Sequence, residues 1–265
     1  MKIEVVIHSS NSNPMYLDFW PLVSKVWSRR FGVRALLLYI DEDHSIPIDT
    51  TYGDVLKMKP VPGIPVYLQC LWVRYWAPTM FPTKVCMISD IDMFPVSTNY
   101  FVNTIKDIPD DKYVHLNAFP GYLPSCYHVA KGSLFQKVLG LHDRWDDSIR
   151  MINAIDVAPN EYNASVEFLK DKQKWGIDET YASERVFAYP DQSIFVFHTR
   201  THKRIDRIDW NWNEVEIKLD VYADSHSIRP YRDPENTERI DTLVKCLVER
   251  PILHNLLNNL LNKRA

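Results

Sequence analysis

The stretch from residue 84 to residue 96 constrains the fold most. An apolar run from Val85 to Ile88 is followed at once by two carboxylates, Asp90 and Asp92. On an extended chain, residues two apart point to the same side, so the end of a buried strand would present both acids to one point. Neighbouring carboxylates repel each other unless a cation lies between them, and hard divalent cations prefer oxygen ligands. The stretch therefore predicts a metal site at a strand end, and an ordinary turn running to Pro95 is the alternative.

Three segments at the start of the chain predict a parallel sheet. Residues 2–7 and 33–40 are apolar runs typical of buried strands, and each is followed by a polar cluster. Between them, residues 16–31 carry large apolar side chains near helical spacing, and Gly32 ends that helix. A strand, a helix and a strand in this order form a βαβ unit with parallel strands. We therefore expect the α/β fold class, with a mixed, mainly parallel central sheet.

The rest of the chain continues this pattern. Residues 45–65 are rich in proline and predict an irregular connection, and residues 66–81 predict a strongly apolar helix. Shorter strands are expected at 113–116 and 192–197. Helices are expected at 133–141, 161–174 and 237–261, and a further one is expected to end at about residue 187. Without a repeat, a low-complexity segment or a linker, we expect one domain over residues 1–236 and a C-terminal helical tail over residues 237–265.

Composition excludes some classes of function. The chain has 265 residues, of which 46% are hydrophobic and 25% are charged, as is ordinary for soluble globular proteins. A formal net charge of -3 and the absence of a basic stripe give no reason to expect nucleic-acid binding. Four widely spaced cysteines indicate reduced thiols and a cytoplasmic setting. No signal peptide and no apolar run of about 18 residues is visible, so no transmembrane segment is expected.

The layout resembles the GT-A fold glycosyltransferases, which transfer a sugar from a nucleotide-diphosphate donor. The similarity rests on the βαβ start, the apolar helix carrying Arg74, and the strand that ends in Asp90-Ile91-Asp92. It implies a nucleotide-sugar-binding half over residues 1–100 and an acceptor half over residues 101–236. The implied donor is a UDP-sugar, the implied acceptor is a hydroxyl of a glycan or glycoconjugate, and the implied cofactor is Mn²⁺ or Mg²⁺. By this resemblance Asp92 ligates the metal, while Asp90 reaches the ribose or a metal-bound water.

The resemblance also implies a set of nucleotide contacts. They come from the ends of the first two strands, from the apolar helix and from the acidic motif itself: His8, Ser9, Asn11, Asp41, Arg74, Ser89, Asp90 and Ile91. Arg74 has a physical argument of its own, because an unpaired guanidinium in an apolar helix is costly. Its partner is either a core carboxylate or the nucleotide.

A third metal ligand is expected from the segment 224–231, which resembles the C-terminal histidine motif of several GT-A groups. There His226 would complete the metal site and Arg229 would contact the phosphates. His198 and His202 compete for the metal role, since a spacing of four residues brings two side chains together on a helix.

Asp178 and Glu179 are the candidates for the general base that removes the proton of the acceptor hydroxyl in an inverting transferase. Both residue types are also common in the first turn of a helix, which is the alternative explanation. Trp175, just before them, is a candidate to stack on a sugar ring. If neither acid is the base, the enzyme would be retaining.

Two other functions compete. A haloacid-dehalogenase-type phosphatase also carries an Asp-x-Asp motif after an apolar strand, but on its first strand and followed by Gly and Thr, unlike Met93-Phe94-Pro95 here. A catalytically inactive carbohydrate-binding protein of the same fold is the non-enzyme alternative. The leucines of the C-terminal helix, Leu253, Leu256, Leu257 and Leu260, are candidates for core packing, self-association or peripheral membrane contact.

Overall fold

A seven-stranded sheet forms the centre of the computed structural model, which describes residues 1–155 and 176–249. In the first half of the chain the strands are β1 (Val5–Ser10), β2 (Ala35–Ile40), β3 (Gly53–Met58) and β4 (Val85–Ile88). The second half adds β6 (Tyr113–His115), β7 (His128–Lys131) and β8 (Phe195–Phe197), and the strand order is β3-β2-β1-β4-β7-β6-β8. Strands β1 to β4 and the pair β6–β8 are parallel, whereas β7 runs antiparallel to both neighbours.

Helices cover both faces of this sheet. On one face lie α1 (Pro14–Leu17), α2 (Trp20–Val26) with a π-helical turn at Trp27–Phe31, and a long helix near the C-terminus, Pro234–Glu249. The other face carries α3 (Val66–Trp76), α4 (Gly132–Leu139), α5 (Trp145–Asn153) and α6 (Ile177–Phe187). Each face has its own hydrophobic core, because successive strand residues point to opposite sides: Val6 belongs to one core and Ile7 to the other. The predicted fold class, α/β with a mixed, mainly parallel sheet and a C-terminal helix, is confirmed.

A small second sheet lies beside the first. It consists of β5 (Met93–Pro95), β9 (Lys203–Ile205) and β10 (Tyr222–His226), with β10 in the centre. Strand β10 is antiparallel to β5 and parallel to β9. A short helix, α7 (Glu214–Lys218), precedes β10. The long helix near the C-terminus, Pro234–Glu249, is α8. This sheet brings residues 203–226 against the segment that follows β4.

The structure differs from the sequence prediction at several elements. The predicted irregular connection at 45–65 contains strand β3, which has a half-exposed side-chain pattern because it is the edge of the sheet. The predicted helix 66–81 ends at Trp76 and continues as a 3₁₀ turn, Ala77–Met80, whose second residue is Pro78. The predicted helix at 161–174 and Trp175 lie outside the described residues.

The C-terminal helix α8 is part of the core. Its buried side chains, Ile240, Leu243, Val244 and Leu247, belong to the same cluster as Val6 and the side chains of α2. The leucines from 253 to 260 lie outside the described residues. Within residues 1–155 and 176–249, no helix is both long and apolar enough to cross a membrane. All four cysteines are free thiols.

Gly132, the first residue of α4, is packed against the turn after α3. A Cβ atom added there would come within 1.9 Å of the Pro78 carbonyl oxygen and 2.5 Å of that of Phe81. Both obstacles are backbone atoms, so the helix itself must shift. We expect Gly132→Ala to lower the free energy of unfolding by about 1–3 kcal/mol, measured by urea denaturation. Ser133→Ala, at the next and exposed position, is the matched control, and an equal loss in both variants would contradict the packing argument.

Candidate active site

The acidic motif lies in a turn between β4 and β5. The backbone N–H of Ser89 still bonds to Ile7 on β1, at 3.0 Å, but residues 91 and 92 form a turn that is closed by Met93 N–H on the Asp90 carbonyl, at 3.2 Å. The extended-chain argument for one shared direction therefore does not apply to Asp90 and Asp92. Their carboxylates have separate sets of partners. The motif is thus a turn that follows a strand end, and the metal site stays a prediction.

Arg74 holds the first acid. The guanidinium of this α3 residue pairs through Nη1 with Asp90 Oδ1, and through Nη2 with Asp178 Oδ2 at 3.1 Å. The Arg74 side chain is only 5% exposed, and Asp178 only 2%. Although burial opposes the charge, the neighbouring Asp178 carboxylate raises the pKa of Arg74. The sequence left two kinds of partner open for Arg74, a core carboxylate or the nucleotide. In the structure Arg74 pairs with two carboxylates.

Asp90 is the accessible end of this bridge. Its side chain is 32% exposed, and its Oδ2 atom accepts a hydrogen bond from the Cys126 thiol at 2.8 Å. Burial raises the pKa of that thiol to about 12, so Cys126 is a neutral donor at physiological pH. Asp90 is thus fixed on one side and open on the other, toward the edge where the parallel strands end.

Asp178 and Glu179 lie in the first turn of helix α6 and have different environments. Burial raises the pKa of Asp178 to about 6, with Arg74 opposing the shift and Glu179 adding to it. Glu179 is half-buried and accepts hydrogen bonds from the Tyr122 hydroxyl and from the Ser125 N–H, the latter at 2.9 Å. The helix N-terminus favours negative charge at both positions. A carboxyl group that titrates near pH 6 beside a second, fixed carboxylate suits proton transfer near neutral pH.

The second acid, Asp92, lies in a cationic cluster. Its Oδ2 atom is 3.4 Å from Arg207 Nη2, 3.6 Å from Arg229 Nη1 and 3.8 Å from His226 Nε2. Burial lowers the pKa of His226, and Asp92 opposes this shift. Arg229 also lies over the Tyr16 ring, 4.9 Å from its centroid. These four groups meet because β10 is paired with β5, which places His226 opposite Met93, and because Ser227 N–H bonds to the Asp92 carbonyl at 3.0 Å.

A buried ion pair between Arg204 and Asp224 lies next to this cationic cluster. Asp224 on β10 is fully buried and receives two hydrogen bonds from Arg204, at 2.8 and 2.7 Å. The Tyr127 hydroxyl adds a third at 2.8 Å, and Arg200 lies 3.7 Å away. These groups compensate the Asp224 charge. Because Arg204 lies on β9 and Asp224 on β10, their ion pair links the two strands next to the turn that carries Arg207.

The predicted nucleotide contacts lie at one edge of the sheet but differ in access. Asp41 Oδ2 accepts from Ser12 N–H at 3.0 Å, which joins the ends of β1 and β2. Asn11 accepts from Asn13 N–H at 3.2 Å, and the Ser9 hydroxyl donates to the Cys70 carbonyl. These three side chains are partly exposed. They remain predicted contacts.

Three other predicted contacts are enclosed in the protein. His8 is fully buried, and burial lowers its pKa to about 3, so the ring is neutral. Ser89 is also fully buried, and Ile91 packs in the hydrophobic core. In this structure their side chains are closed off from a ligand, so any contact at these positions would use the main chain.

His198 and His202 do not form the pair that their spacing suggests. Residues 198–202 contain no helix, since they follow β8 as an irregular segment. His202 Nε2 lies 3.9 Å from Asp220 Oδ2, and the His198 N–H bonds to the His115 carbonyl at 2.8 Å. The structure places His226, and neither of these two, beside Asp92.

The fit of a divalent cation can be tested on the donor atoms. Among residues 1–155 and 176–249, no group of three or more His, Cys, Asp or Glu side chains is arranged to hold a metal. Asp92 Oδ2 and His226 Nε2 are 3.8 Å apart, within the span of two ligands on one cation with bonds of about 2.1 Å. Cations of the Mg²⁺ type take only one or two carboxylates and share their other positions with phosphates and water. Asp92 and His226 would thus supply two ligands of such a cation, and a phosphate and water would supply the others.

Sequence reasoning missed several residues of this site. Arg207 ends a stretch rich in basic residues, 198–207, and no feature of the sequence separates it from its neighbours. Tyr122, Ser125 and Cys126 lie in a loop without a motif and reach the acids only through long-range contacts.

No protein-family model matches the chain, and no curated protein matches it. Among solved structures, the fold of this chain is similar to the crystal structure of the galactosyltransferase LgtC in complex with donor and acceptor sugar analogues. The two are 12% identical, the match covers 93% of this chain and 97% of the other, and the TM-score is 0.48.

The raised pKa of Asp178 gives a testable pH dependence. Between about pH 4, where the unfolded group titrates, and pH 6, the folded state binds more protons than the unfolded state. The Asp178 contribution to the free energy of unfolding therefore falls as pH rises through this window. We expect Asp178→Asn to remove that slope in urea denaturation between pH 4 and pH 7.

Asp191→Asn is the control for this experiment. Hydrogen bonds from Ser193 lower the pKa of Asp191, so its contribution is lost only below about pH 4. The slope between pH 4 and pH 6 should then equal that of the wild type. Equal slopes in wild type and Asp178→Asn would contradict the assigned environment of Asp178.

Proposed function

We propose that this protein is a metal-dependent glycosyltransferase of the GT-A type. It would move a sugar from a nucleotide-diphosphate donor, with a UDP-sugar favoured, to a hydroxyl of a glycan or glycoconjugate, with inversion. The observation that carries the proposal is the placement of Asp90 and Asp92 at the carboxyl edge of the parallel strands, one held by Arg74 and the other surrounded by Arg207, Arg229 and His226. Ligands of α/β sheets bind at this edge.

The cluster around Asp92 suits a departing nucleoside diphosphate. Breaking the bond between sugar and phosphate leaves growing negative charge on the diphosphate, and this charge must be stabilised. When bound, Mn²⁺ or Mg²⁺ would supply Lewis-acid stabilisation of that leaving group. Asp92 and His226 would hold the cation, and Arg229 would donate to a phosphate oxygen in the bidentate manner that a guanidinium allows.

The nucleoside would lie along the ends of β1 and β2. Ser9, Asn11 and Asp41 are the partly exposed polar side chains there, and Asp90 is oriented by Arg74 toward the same edge. A carboxylate at Asp90 can accept a hydrogen bond from a ribose hydroxyl or from a water on the cation. These assignments follow the family resemblance together with the strand geometry.

One of the two acids in the first turn of α6, Asp178 or Glu179, would deprotonate the acceptor hydroxyl. Glu179 is the more accessible of the two, while Asp178 is buried against Arg74. Tyr122, which donates to Glu179, lies in a short loop with Phe119, whose ring is exposed. Exposed aromatic rings offer an apolar face to a sugar, so this loop is the proposed acceptor side of the site.

The contacts favour this proposal over a phosphatase. Phosphoryl transfer to an aspartate requires a free nucleophilic carboxylate at the strand end. Asp90 instead accepts from Arg74 and Cys126, and Asp92 lies between two guanidinium groups.

Nucleotide binding provides the first test. We expect UDP to bind the wild type with Mn²⁺ about tenfold or more tighter than without it, measured by isothermal titration calorimetry, because the metal links Asp92 to the diphosphate. In Asp92→Ala this dependence on manganese should disappear, since the carboxylate ligand is gone. Asp54→Ala, at an exposed acid on β3, is the matched control and should keep it. Absence of UDP and GDP binding in the wild type under all conditions would refute the proposed function.

The base is tested by turnover. We expect Glu179→Gln to lower the rate of sugar transfer or donor hydrolysis by about 10²–10⁴-fold, because general base catalysis contributes that much, while UDP affinity is unchanged. Glu184→Gln, on the same helix, is the control. If Glu179→Gln keeps full activity and Asp178→Asn loses it, the base is Asp178. Full activity in both variants would favour a retaining reaction without a base.

A further inference from the structure

We infer that Arg207 closes the cation site in the free protein and opens it when the donor binds, by moving from Asp92 to the diphosphate. This inference rests on the proposed function. It concerns a residue on the turn after β9, outside the motif that carries the family resemblance.

Arg207 contacts both proposed metal ligands at once. Its Nη2 atom lies 3.4 Å from Asp92 Oδ2, and its Nε atom donates to His226 Nδ1 at 3.3 Å. A guanidinium is always charged and only donates hydrogen bonds. One side chain therefore neutralises the carboxylate and also sets the state of the imidazole.

The hydrogen bond to His226 has a consequence for metal binding. A neutral imidazole that accepts at Nδ1 carries its proton on Nε2. Nε2 is the nitrogen that faces Asp92, at 3.8 Å. Since a metal ligand needs a free lone pair, His226 cannot bind a cation through Nε2 while Arg207 occupies Nδ1.

Arg207 is also the movable member of the cluster. Arg229 packs over Tyr16, and Arg204 is held by two hydrogen bonds to buried Asp224. Arg207 instead begins an exposed turn over residues 207–209, where the next side chain, Ile208, is 92% exposed. The Arg207 side chain is itself 24% exposed, so it reaches water at this turn.

Electrostatics favours simultaneous binding of cation and diphosphate. A divalent cation alone would meet two guanidinium groups within 4 Å of its carboxylate ligand, which raises its free energy. A diphosphate gives Arg207 a new anionic partner with bidentate geometry, and frees Asp92 and His226. Each ligand thus removes the obstacle to the other, which is positive coupling between the two.

The test separates binding of Mn²⁺ alone from binding of UDP with saturating Mn²⁺. We expect Arg207→Gln to bind Mn²⁺ alone about fivefold or more tighter than the wild type, because the competing charge is gone. The same variant should bind UDP with Mn²⁺ about tenfold weaker, because a phosphate contact is lost. Free Mn²⁺ is measured by electron paramagnetic resonance, and UDP binding by calorimetry.

Lys203→Gln is the matched control. It removes one positive charge four residues earlier, where the lysine pairs with Glu216 on the surface, 3.2 Å away. It should change neither affinity. Thermal unfolding of each variant checks that it is folded.

Tighter binding of Mn²⁺ together with weaker binding of UDP, seen in Arg207→Gln and not in Lys203→Gln, supports the inference. Unchanged or weaker Mn²⁺ binding, or unchanged UDP binding, overturns it while the wild-type result with UDP still supports the proposed function. Failure of the wild type to bind UDP with Mn²⁺ overturns the proposed function itself. Equal shifts in Lys203→Gln would show a general effect of charge and also overturn the inference.

Discussion

The bridge from Asp90 through Arg74 to Asp178 is the interaction on which the site depends. It joins the end of β4, the last turn of α3 and the start of α6. Arg74 and Asp178 are nearly inaccessible to water, so loss of Arg74 leaves the buried Asp178 carboxylate without its cation, which typically costs about 3–5 kcal/mol. The bridge therefore fixes the distance between the side of the site that would bind the nucleotide and the side that would activate the acceptor.

The two acids of the motif consequently have different physical roles. Asp90 belongs to a rigid network that ends in Asp178, whereas Asp92 lies among long cationic side chains on the small sheet. The antiparallel pairing of β5 with β10 brings these cations to the motif. A turn between the acids separates the two sets of partners. One acid is thus held in place by its partners, and under the proposed function the other would exchange its partners when the donor binds.

The sequence allowed prediction of the parts that local pattern determines. The βαβ start, the strand before the acids and the helix that contains Asp178 in its first turn all follow from the pattern of apolar and polar residues. Strand β3 was missed because an edge strand lacks a continuous apolar run. Strand β10 was missed because it contains the charged residue Asp224, whose burial depends on long-range partners such as Arg204 and Tyr127. The placement of Arg207 beside Asp92 depends on pairing between strands more than a hundred residues apart, which no local pattern encodes.

The charges of the site explain why its ligands should be bound as a pair. Around the two acids of the motif, Asp178 and Glu179 add carboxylates, and Arg74, Arg207 and Arg229 add guanidinium groups. In the ligand-free protein these opposite charges compensate each other internally. A cation alone adds to the guanidinium groups and an anion alone adds to the carboxylates, so either one disturbs the balance. A cation and a diphosphate together would add little net charge while each would give one set of groups a new partner. Under the proposed function, the arrangement would therefore favour a nucleotide complexed with a metal over either component.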